Sequence, residues 1–252
     1  MKAAQPILSV ITVVYNNVAD IERTMLSVLN QTYTGIEYIV IDGKSTDGTL
    51  QVIEKYKDRV AKLISEKDKG IYDAMNKGLA VATGDYVIFM NSADEFYSAN
   101  TVANVFASDD NADIYYGETE MIGEGGANLG QRRHAAPAKF TWRSFKYGMS
   151  VSHQAIYIKR ELVEPYDPKY KLSADIDWIL RAAKKAKKII NVNQYVAKYQ
   201  VGGMSKQKHR QSLKERFYIM KRYYGLVPTL FNHMMIAFNL GWYWLRHKRT
   251  ND

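Results

Sequence analysis

Residues 7–17 of the chain read ILSVITVVYNN, and this stretch decides the fold. Its first nine residues are almost all apolar or β-branched, which is typical of a strand buried on both faces. Similar apolar runs follow at 36–41 (IEYIVI), 60–65 and 86–90 (YVIFM). Segments with helical apolar spacing lie between these runs, at 20–31, 50–56 and 71–82. The alternation predicts βαβ units and an α/β fold with a mostly parallel sheet.

The chain after residue 100 alternates less regularly. The pattern of this part predicts strands at 114–119 and 154–158, a flexible Gly-rich loop at 123–130, a helix at 176–185 and a β ribbon at 189–201. Two further helices are expected at about 206–224 and 229–246, separated by Gly225 and Pro228. We therefore divide the chain into a domain of residues 1–203, with halves 1–99 and 100–203, and a helical extension of residues 204–252.

Composition excludes several classes of protein. The 252 residues are 46% hydrophobic and 24% charged, which is the composition of a globular chain rather than a disordered or fibrous one. The absence of cysteine excludes a disulfide framework and every thiolate metal site. The N-terminal residues MKAAQP lack the apolar stretch and cleavage site of a signal peptide, so we expect a cytoplasmic protein.

The net charge of +9 is concentrated in the C-terminal extension. Residues 203–252 contain ten basic and two acidic residues, which leaves 25 basic and 24 acidic residues in the first 202. This segregation indicates an anionic partner, either membrane lipid or nucleic acid. The apolar run at 229–245 has only 17 residues and carries Trp242 and Trp244 beside Arg246, a pattern that fits a helix lying in the lipid headgroup region better than a spanning one. Alternatively, both helices pack on the preceding domain or on a second subunit.

Polar turn residues follow three of the predicted strands. They are Tyr15-Asn16-Asn17, Asp42-Gly43-Lys44-Ser45 and Asn91-Ser92-Ala93-Asp94. Such residues end strands for conformational reasons alone, but ligands of open parallel sheets bind at the carboxyl ends of strands. Gly43-Lys44-Ser45 is not a P-loop, because position 38 is tyrosine rather than glycine. The three segments together predict a binding site at this edge of the sheet.

Four segments of the chain resemble the inverting glycosyltransferases of family 2. They are 9–16 (SVITVVYN), 41–49 (IDGKSTDGT), 65–86 (from Ser65-Glu66-Lys67-Asp68 to Gly84-Asp85-Tyr86) and 89–94 (FMNSAD). The segments come in the order of the family, and the resemblance covers about residues 7–205. It implies the GT-A fold, a Rossmann-like and mostly parallel sheet flanked by helices, here followed by the basic amphipathic extension.

The resemblance also implies roles for residues of the first half. Asp94 stands where the family binds Mn²⁺ or Mg²⁺, and Ala93 occupies a position where the family often has a further aspartate. The residues implied in binding the nucleotide-sugar are Thr12, Val14, Tyr15, Asp42, Asp68, Asn76, Lys77, Asn91, Ser92 and Ala93. For Lys77, a solvated helix face is the alternative interpretation, because exposed lysines are the rule.

The second half is expected to bind the acceptor. By resemblance, Asp175 is the catalytic base and His153 lies beside the acceptor. Asp177 points about 200° away from Asp175 on a helix, so we interpret it as structural. Gly203, Ser205 and Arg210 belong to a segment that resembles the family's loop over the acceptor or the diphosphate.

These expectations combine into one functional hypothesis. It is a metal-dependent inverting glycosyltransferase that uses a nucleoside-diphosphate sugar, with UDP favoured, and a glycan or lipid-linked glycan acceptor of polysaccharide biosynthesis. We place it at the cytoplasmic face of the membrane, without nucleic acid as a partner, and a homo-oligomer remains an option. A nucleotidyltransferase that forms sugar nucleotides is disfavoured, because no Gly-rich basic loop lies between Val13 and Ile21. A non-catalytic basic module that binds membrane or nucleic acid is disfavoured by the neutral first 202 residues and the strand-end acids.

Overall fold

A computed structural model describes residues 5–109, 111–123, 126–132, 135–202 and 209–236. Its strands are β1 (Leu8–Val14), β2 (Ile36–Asp42), β3 (Lys62–Ser65), β4 (Tyr86–Phe89), β5 (Glu95–Phe96), β6 (Ile114–Ile122), β7 (Asn128–Gln131), β8 (Ile156–Lys159) and β9 (Ile189–Gln200). Its helices are α1 (Ile21–Leu29), α2 (Thr49–Glu54), α3 (Ile71–Val81), α4 (Thr101–Ala107), α5 (Ala174–Lys185) and α6 (His209–Tyr224). Residues 226–236 are also helical.

All nine described strands form one sheet. Their order is β3-β2-β1-β4-β8-β6-β9-β5, and β7 pairs with β6 beside this path. Strands β3, β2, β1 and β4 are parallel, as the alternation of strands and helices predicts. Strand β8 pairs with β4 and β6 in antiparallel orientation, whereas β9 runs parallel to β6. The parallel half therefore presents the carboxyl ends of β2, β1 and β4 side by side.

Hydrophobic cores cover both faces of the sheet, and β1 contributes to each. Ile11 and Val13 belong to one core, which also contains buried residues of α3, α5 and α6. Val10 and Val14 belong to the other, which α1 and α4 cover. This burial on both faces explains the uninterrupted apolar run at 7–15. Helix α3 lies especially close to the sheet, because a Cβ on Gly78 would be 2.4 Å from Cγ2 of Ile11.

The first helix of the predicted extension packs against the rest of the fold. Ile219 and Met220 of α6 are buried in the same core as Trp178 of α5, and the Ser173 and Ser212 hydroxyls lie 3.1 Å apart. Gly225 has a φ of +85° between α6 and the helical residues 226–236. The rest of the second predicted helix, to residue 246, lies outside the described residues. Within the described ranges, no helix combines the length and apolar character needed to cross a membrane.

Two local predictions for the second half were wrong. The Gly-rich stretch at 123–130 contains the start of β7, which pairs antiparallel with β6. Gly126 and Gly130 adopt positive φ values, which glycine allows. Residues 189–200 form one twelve-residue strand rather than a ribbon, because β9 pairs along its length with β6. Both strands extend the sheet on the side away from β1.

Candidate functional site

A cavity of about 500 Å³ opens at the carboxyl ends of β1 and β4 and is lined by both halves of the fold. The first half contributes Asn17, the loop 91–94 and the start of α3. The second half contributes His153, residues 171–175 around the start of α5, and residues 199–202 at the end of β9. The cavity therefore lies where the strand-end residues of the sequence predict a site.

The loop after β4 is tied to helix α1. Asn17 Nδ2 donates to Ser92 Oγ at 2.9 Å, and the Ala93 amide donates to the Thr24 hydroxyl at 2.9 Å. Ala93 has a φ of +83°, a left-handed conformation that costs energy for a residue with a Cβ. These hydrogen bonds hold the loop in that conformation, so that Asn91 and Asp94 both face the cavity.

The Asp94 carboxyl is strongly desolvated. Asp94 is only 6% exposed, and this burial raises its pKa to about 7. His153, the backbone N–H of Gln200 and Arg23 favour the ionised form but do not offset the burial. Arg23 is also paired with Glu95 and with Asp20, at 3.1 Å for the latter, so its charge is shared among acids. A carboxylate held in this environment gains from any cation or donor that enters the cavity.

His153 connects the two halves of the site. Its Nε2 lies 3.0 Å from Asn91 Nδ2, and its Nδ1 lies 3.8 Å from Asp175 Oδ2. Because the amide nitrogen of Asn91 can only donate, Nε2 accepts in this contact, and Nδ1 is the ring nitrogen on the side of Asp175. The imidazole thus joins the strand-end loop to the first turn of α5.

Asp175 lies at the start of α5 and faces the cavity. Tyr72 of α3 donates its hydroxyl to Asp175 Oδ1 at 3.3 Å, and burial together with this carboxylate raises the pKa of Tyr72 well above its ordinary value. The Tyr166 ring stacks with the rings of both Tyr72 and Trp178, each at 5.1 Å between centroids. This aromatic layer fixes the position of α5 relative to α3.

Asp177 has a different environment, as its position two residues further along the helix predicts. It is 1% exposed and accepts hydrogen bonds from Arg181 Nε at 2.9 Å and from the Tyr223 hydroxyl at 3.0 Å. Arg222 approaches the same carboxylate at 3.4 Å. Asp177 therefore joins α5 to α6 and does not line the cavity.

A second group of predicted residues meets at the ends of β1 and β2. The Asp42 carboxylate is fully buried and accepts from the Ser65 hydroxyl at 2.6 Å and from the Ser45 amide at 3.2 Å. Gly43 packs against two side chains, because a Cβ at this position would lie 2.5 Å from Asp68 Oδ2 and 3.2 Å from Tyr15 Cδ2. Tyr15 is 64% exposed, which leaves its ring available as one wall of a cleft.

Four residues expected to bind the nucleotide-sugar have side chains directed elsewhere. Thr12 is buried and donates to the Met90 carbonyl at 2.7 Å, and Val14 belongs to the core. Asn76 exchanges hydrogen bonds with the backbone of Tyr166, at 3.0 and 2.7 Å. Lys77 donates to the Lys67 carbonyl at 2.7 Å and pairs with Glu66 at 3.0 Å. These side chains have their hydrogen-bond and packing partners within the chain, and a contact of the four residues with the nucleotide-sugar stays a prediction.

The remaining predictions concern the segment after β9. Gly203 and Ser205 lie outside the described residues, and Arg210 is exposed at the start of α6. The structure adds Asn17, Tyr72 and Tyr199 to the cavity wall. The sequence signals Asn17 as part of the strand end and Tyr72 as part of the segment 65–86, whereas nothing in the sequence singles out Tyr199.

The strand-end loop also offers oxygen atoms to a cation. Asn91 Oδ1 is buried and has no hydrogen-bond partner among the described residues, and Asn91 and Asp94 both line the cavity. Amide and carboxylate oxygens are the ligands that Mg²⁺ and Mn²⁺ prefer. The described part of the chain contains no group of three or more His, Asp or Glu side chains that could hold a metal ion. The residues thus fit a cation that takes most of its ligands from a bound molecule.

Comparison with known families gives one match over most of the chain. The family model named glycosyl transferase family 2 matches residues 9–164, which include the loop 91–94 and His153 but not Asp175. The uncharacterized glycosyltransferase Rv1514c of Mycobacterium tuberculosis (strain ATCC 25618 / H37Rv) is 39% identical over 185 residues. That alignment covers 71% of this chain and 69% of the relative.

Solved structures share the fold. The crystal structure of S. aureus TarS 1–349 superposes with a TM-score of 0.66 at 22% identity, over 85% of this chain and 65% of that longer chain. The crystal structure of S. aureus TarS 1–349 in complex with UDP-GlcNAc has a TM-score of 0.65 at 20% identity. The match covers 93% of this chain and 71% of that chain. The mannosyltransferase PcManGT from Pyrobaculum calidifontis, in complex with GDP-Man and Mn²⁺, has a TM-score of 0.64 at 18% identity. That match covers 92% of this chain and 70% of PcManGT. These similarities confirm the predicted GT-A fold.

The raised pKa of Asp94 predicts that this residue destabilises the fold at neutral pH. The folded chain keeps the Asp94 proton to about pH 7, whereas the unfolded chain releases it near the ordinary aspartate pKa of 3.8, so stability falls as the pH rises between these values. In excess chelator, Asp94→Asn should therefore raise the free energy of unfolding at pH 8 by ~1–4 kcal/mol, and by much less at pH 5.

Asp47→Asn serves as the matched control for this measurement. The Thr49 hydroxyl, with backbone amides, holds the pKa of Asp47 below its ordinary value. Removing the Asp47 carboxylate should therefore lower the free energy of unfolding at pH 8, which is the opposite of the effect expected for Asp94→Asn. Denaturant titrations at the two pH values measure both effects. A pH-independent change in stability for Asp94→Asn would contradict the assigned shift.

Proposed function

The chain belongs to glycosyltransferase family 2 and is a glycosyltransferase; from that premise we propose that it moves a sugar from a UDP-sugar to a hydroxyl of a glycan or lipid-linked glycan, with inversion. The observation that carries the proposal is the cavity in which Asp175 and Asp94 face a common space and His153 joins their loops. One carboxylate lies on the strand-end side and the other at the start of α5. The arrangement suits a donor on one side and an acceptor on the other.

The donor is proposed to bind along the ends of β1, β2 and β4. Tyr15, Asp42 and Asp68 form the cleft that would take the base and ribose, and the loop 91–94 would take the diphosphate. Gly43 supports this assignment, since any side chain there would meet Asp68 and Tyr15 and fill the cleft. The UDP-GlcNAc complex of TarS, a chain with the same fold, supports UDP as the nucleotide.

A divalent cation, Mn²⁺ or Mg²⁺, is proposed to bind beside the diphosphate. Asp94 and Asn91 Oδ1 would hold it, and the desolvated carboxyl and the unpartnered amide oxygen support this. When bound, such an ion neutralises the charge that develops on the leaving diphosphate. Ala93 supplies no ligand, so Asp94 is the one carboxylate that the loop offers. The Mn²⁺ complex of PcManGT supports the choice of metal.

Asp175 is proposed as the general base. Its carboxylate would take the proton of the acceptor hydroxyl, whose oxygen forms the new bond to the anomeric carbon. The bond from that carbon to the phosphate oxygen breaks, and its electron pair leaves with the nucleoside diphosphate. Tyr72 donates to Oδ1 and His153 presents its Nδ1 side to Oδ2. These contacts would orient the carboxylate for attack from the face opposite the leaving group, which inverts the anomeric configuration.

The C-terminal helices are proposed to dock on an anionic membrane from the cytoplasmic face. Val227, Phe231 and Met234 of the helix at 226–236 are 58–76% exposed, and the exposed cations Lys214 and Lys221 lie on the preceding helix α6. Exposed apolar side chains beside cations fit a helix in the headgroup region. Such docking would bring the cavity near a lipid-linked acceptor.

Asp175→Asn tests the base. We expect the rate of transfer to fall by ~100-fold or more, because amide nitrogen and oxygen cannot take the acceptor proton. Affinity for the nucleotide-sugar, measured by calorimetry, should stay within about twofold, since the base faces the acceptor. The assay is release of nucleoside diphosphate over a panel of sugar nucleotides with Mn²⁺, together with transfer to a lipid-linked acceptor. Wild-type turnover by Asp175→Asn would refute the role, and the absence of turnover with every sugar nucleotide would refute the function.

Metal removal tests the cation. Excess chelator should abolish donor turnover by the wild-type chain, and added Mn²⁺ should restore it. Asp94→Asn should raise the Mn²⁺ concentration needed for half-maximal activity by ~10-fold or more, because it removes the charged ligand. Asp47→Asn changes a carboxylate that does not line the cavity, so it should leave that concentration unchanged. Equal Mn²⁺ requirements for wild type and Asp94→Asn would exclude Asp94 as a ligand.

Flotation tests membrane docking. The full-length chain should float with vesicles of phosphatidylcholine and phosphatidylglycerol at low salt, and less at high salt or with phosphatidylcholine alone. Phe231→Asp combined with Met234→Asp should lower the partition coefficient by ~10-fold or more, since two exposed apolar side chains that would enter the headgroup region become charged. Leu129→Asp, which changes an exposed leucine of β7, is the control and should float like wild type. Equal flotation of both variants would argue that the helices pack on protein instead.

A further inference from the structure

Glu215 of α6 makes an unusual set of contacts with the segment that precedes α5. Its Oε2 accepts the backbone N–H groups of Lys171, Leu172 and Ser173 at 3.1, 2.8 and 3.1 Å. Its Oε1 accepts from Gln211 Nε2 at 3.1 Å. Glu215 is also the sole acidic residue between positions 203 and 251 of an otherwise basic extension. A single carboxylate of α6 thus accepts hydrogen bonds from three consecutive amides of the segment that precedes α5.

These amides belong to the residues that lead into α5, up to its N-cap Ser173. A helix begins with backbone N–H groups that have no partner within the helix, and a side chain at the N-cap ordinarily satisfies one of them. Ser173 occupies the N-cap position of α5 but makes no capping hydrogen bond; its hydroxyl lies 3.1 Å from that of Ser212 instead. Glu215 therefore satisfies the amides that lead into α5 and adds a carboxylate to a helix start whose first turn already contains Asp175 and Asp177.

The segment held by Glu215 is a wall of the cavity. Lys171 and Leu172 line it, and Asp175 follows Ser173 by two residues. The carboxylate of Asp175 reaches Tyr72 at 3.3 Å and His153 at 3.8 Å, distances that a small movement of residues 171–175 would change. A displacement of about 1 Å at a reacting group can cost ~100-fold in rate.

We propose that Glu215 is a positioning residue, which sets the place of Asp175 in the cavity by fixing residues 171–173. The inference rests on the proposed role of Asp175 as base. It makes α6 part of the acceptor side of the site. It also predicts a local rather than a global effect of substitution, because Tyr223 and Arg222 hold α5 independently through Asp177.

Glu215→Ala tests this directly in the full-length chain. We expect kcat to fall by ~10–100-fold while KM for the nucleotide-sugar stays within about twofold, since the donor binds at the other side of the cavity. Amide hydrogen exchange at residues 171–173 should become faster, whereas exchange in the central strands β1 and β4 should not. Glu215→Gln keeps an oxygen acceptor but loses its charge, so both effects should be intermediate.

Two further variants make the outcomes distinct. Glu161→Ala removes an exposed carboxylate that has no hydrogen bond among the described residues, and it should leave kcat and exchange unchanged. Asp175→Asn reports on the base alone: if it retains activity, the proposed role of Asp175 fails whatever Glu215 does. If Asp175→Asn is inactive but Glu215→Ala keeps its kcat, the positioning role is wrong. If Glu215→Ala does not fold, Glu215→Gln takes its place in the test. Wild-type kcat together with wild-type hydrogen exchange at residues 171–173 in Glu215→Gln would then overturn the inference.

Discussion

Burial of β1 on both faces is the constraint on which the location of the site depends. Val10 and Val14 enter one core, and Ile11 and Val13 enter the other, so the body of the strand has no room for a charged or mobile side chain. The chain can place reactive groups only where β1 and its parallel neighbours end. Thr12 illustrates the constraint, because its buried hydroxyl donates to the Met90 carbonyl at 2.7 Å and lies within hydrogen-bond distance of the Tyr38 hydroxyl, at 3.1 Å.

The loop after β4 contains several features that are unfavourable for the folded state, and neighbouring residues stabilise part of it. Ala93 is held at a φ of +83° by hydrogen bonds to α1, and Asp94 is a buried acid whose pKa is raised to about 7. Asn91 leaves a buried oxygen without a partner among the described residues. Unfavourable features of this kind concentrate at functional sites, because a bound ligand or ion would satisfy them.

The sequence predicts the sheet and the location of the site better than it predicts side-chain direction. The apolar runs identify β1, β2 and β4, and the residues after them identify the cavity loop 91–94. Asn76 was expected to face a ligand, yet its amide is taken up by the backbone of Tyr166, a partner 90 residues away that no local pattern reveals. Strand β7 was missed because its glycines, which allow a tight connection, also resemble a flexible loop.

The role inferred for α6 follows from its two faces. Ser212, Glu215, Ile219 and Tyr223 are spaced three or four residues apart, so they share the face that packs on α5. Lys214, Tyr218 and Lys221 repeat at the same spacing on the exposed face. Contact of the exposed face with an anionic membrane would therefore leave the hydrogen bonds of Glu215 intact. A helix with this arrangement can join a lipid surface to the acceptor side of the cavity, because the two tasks use different residues.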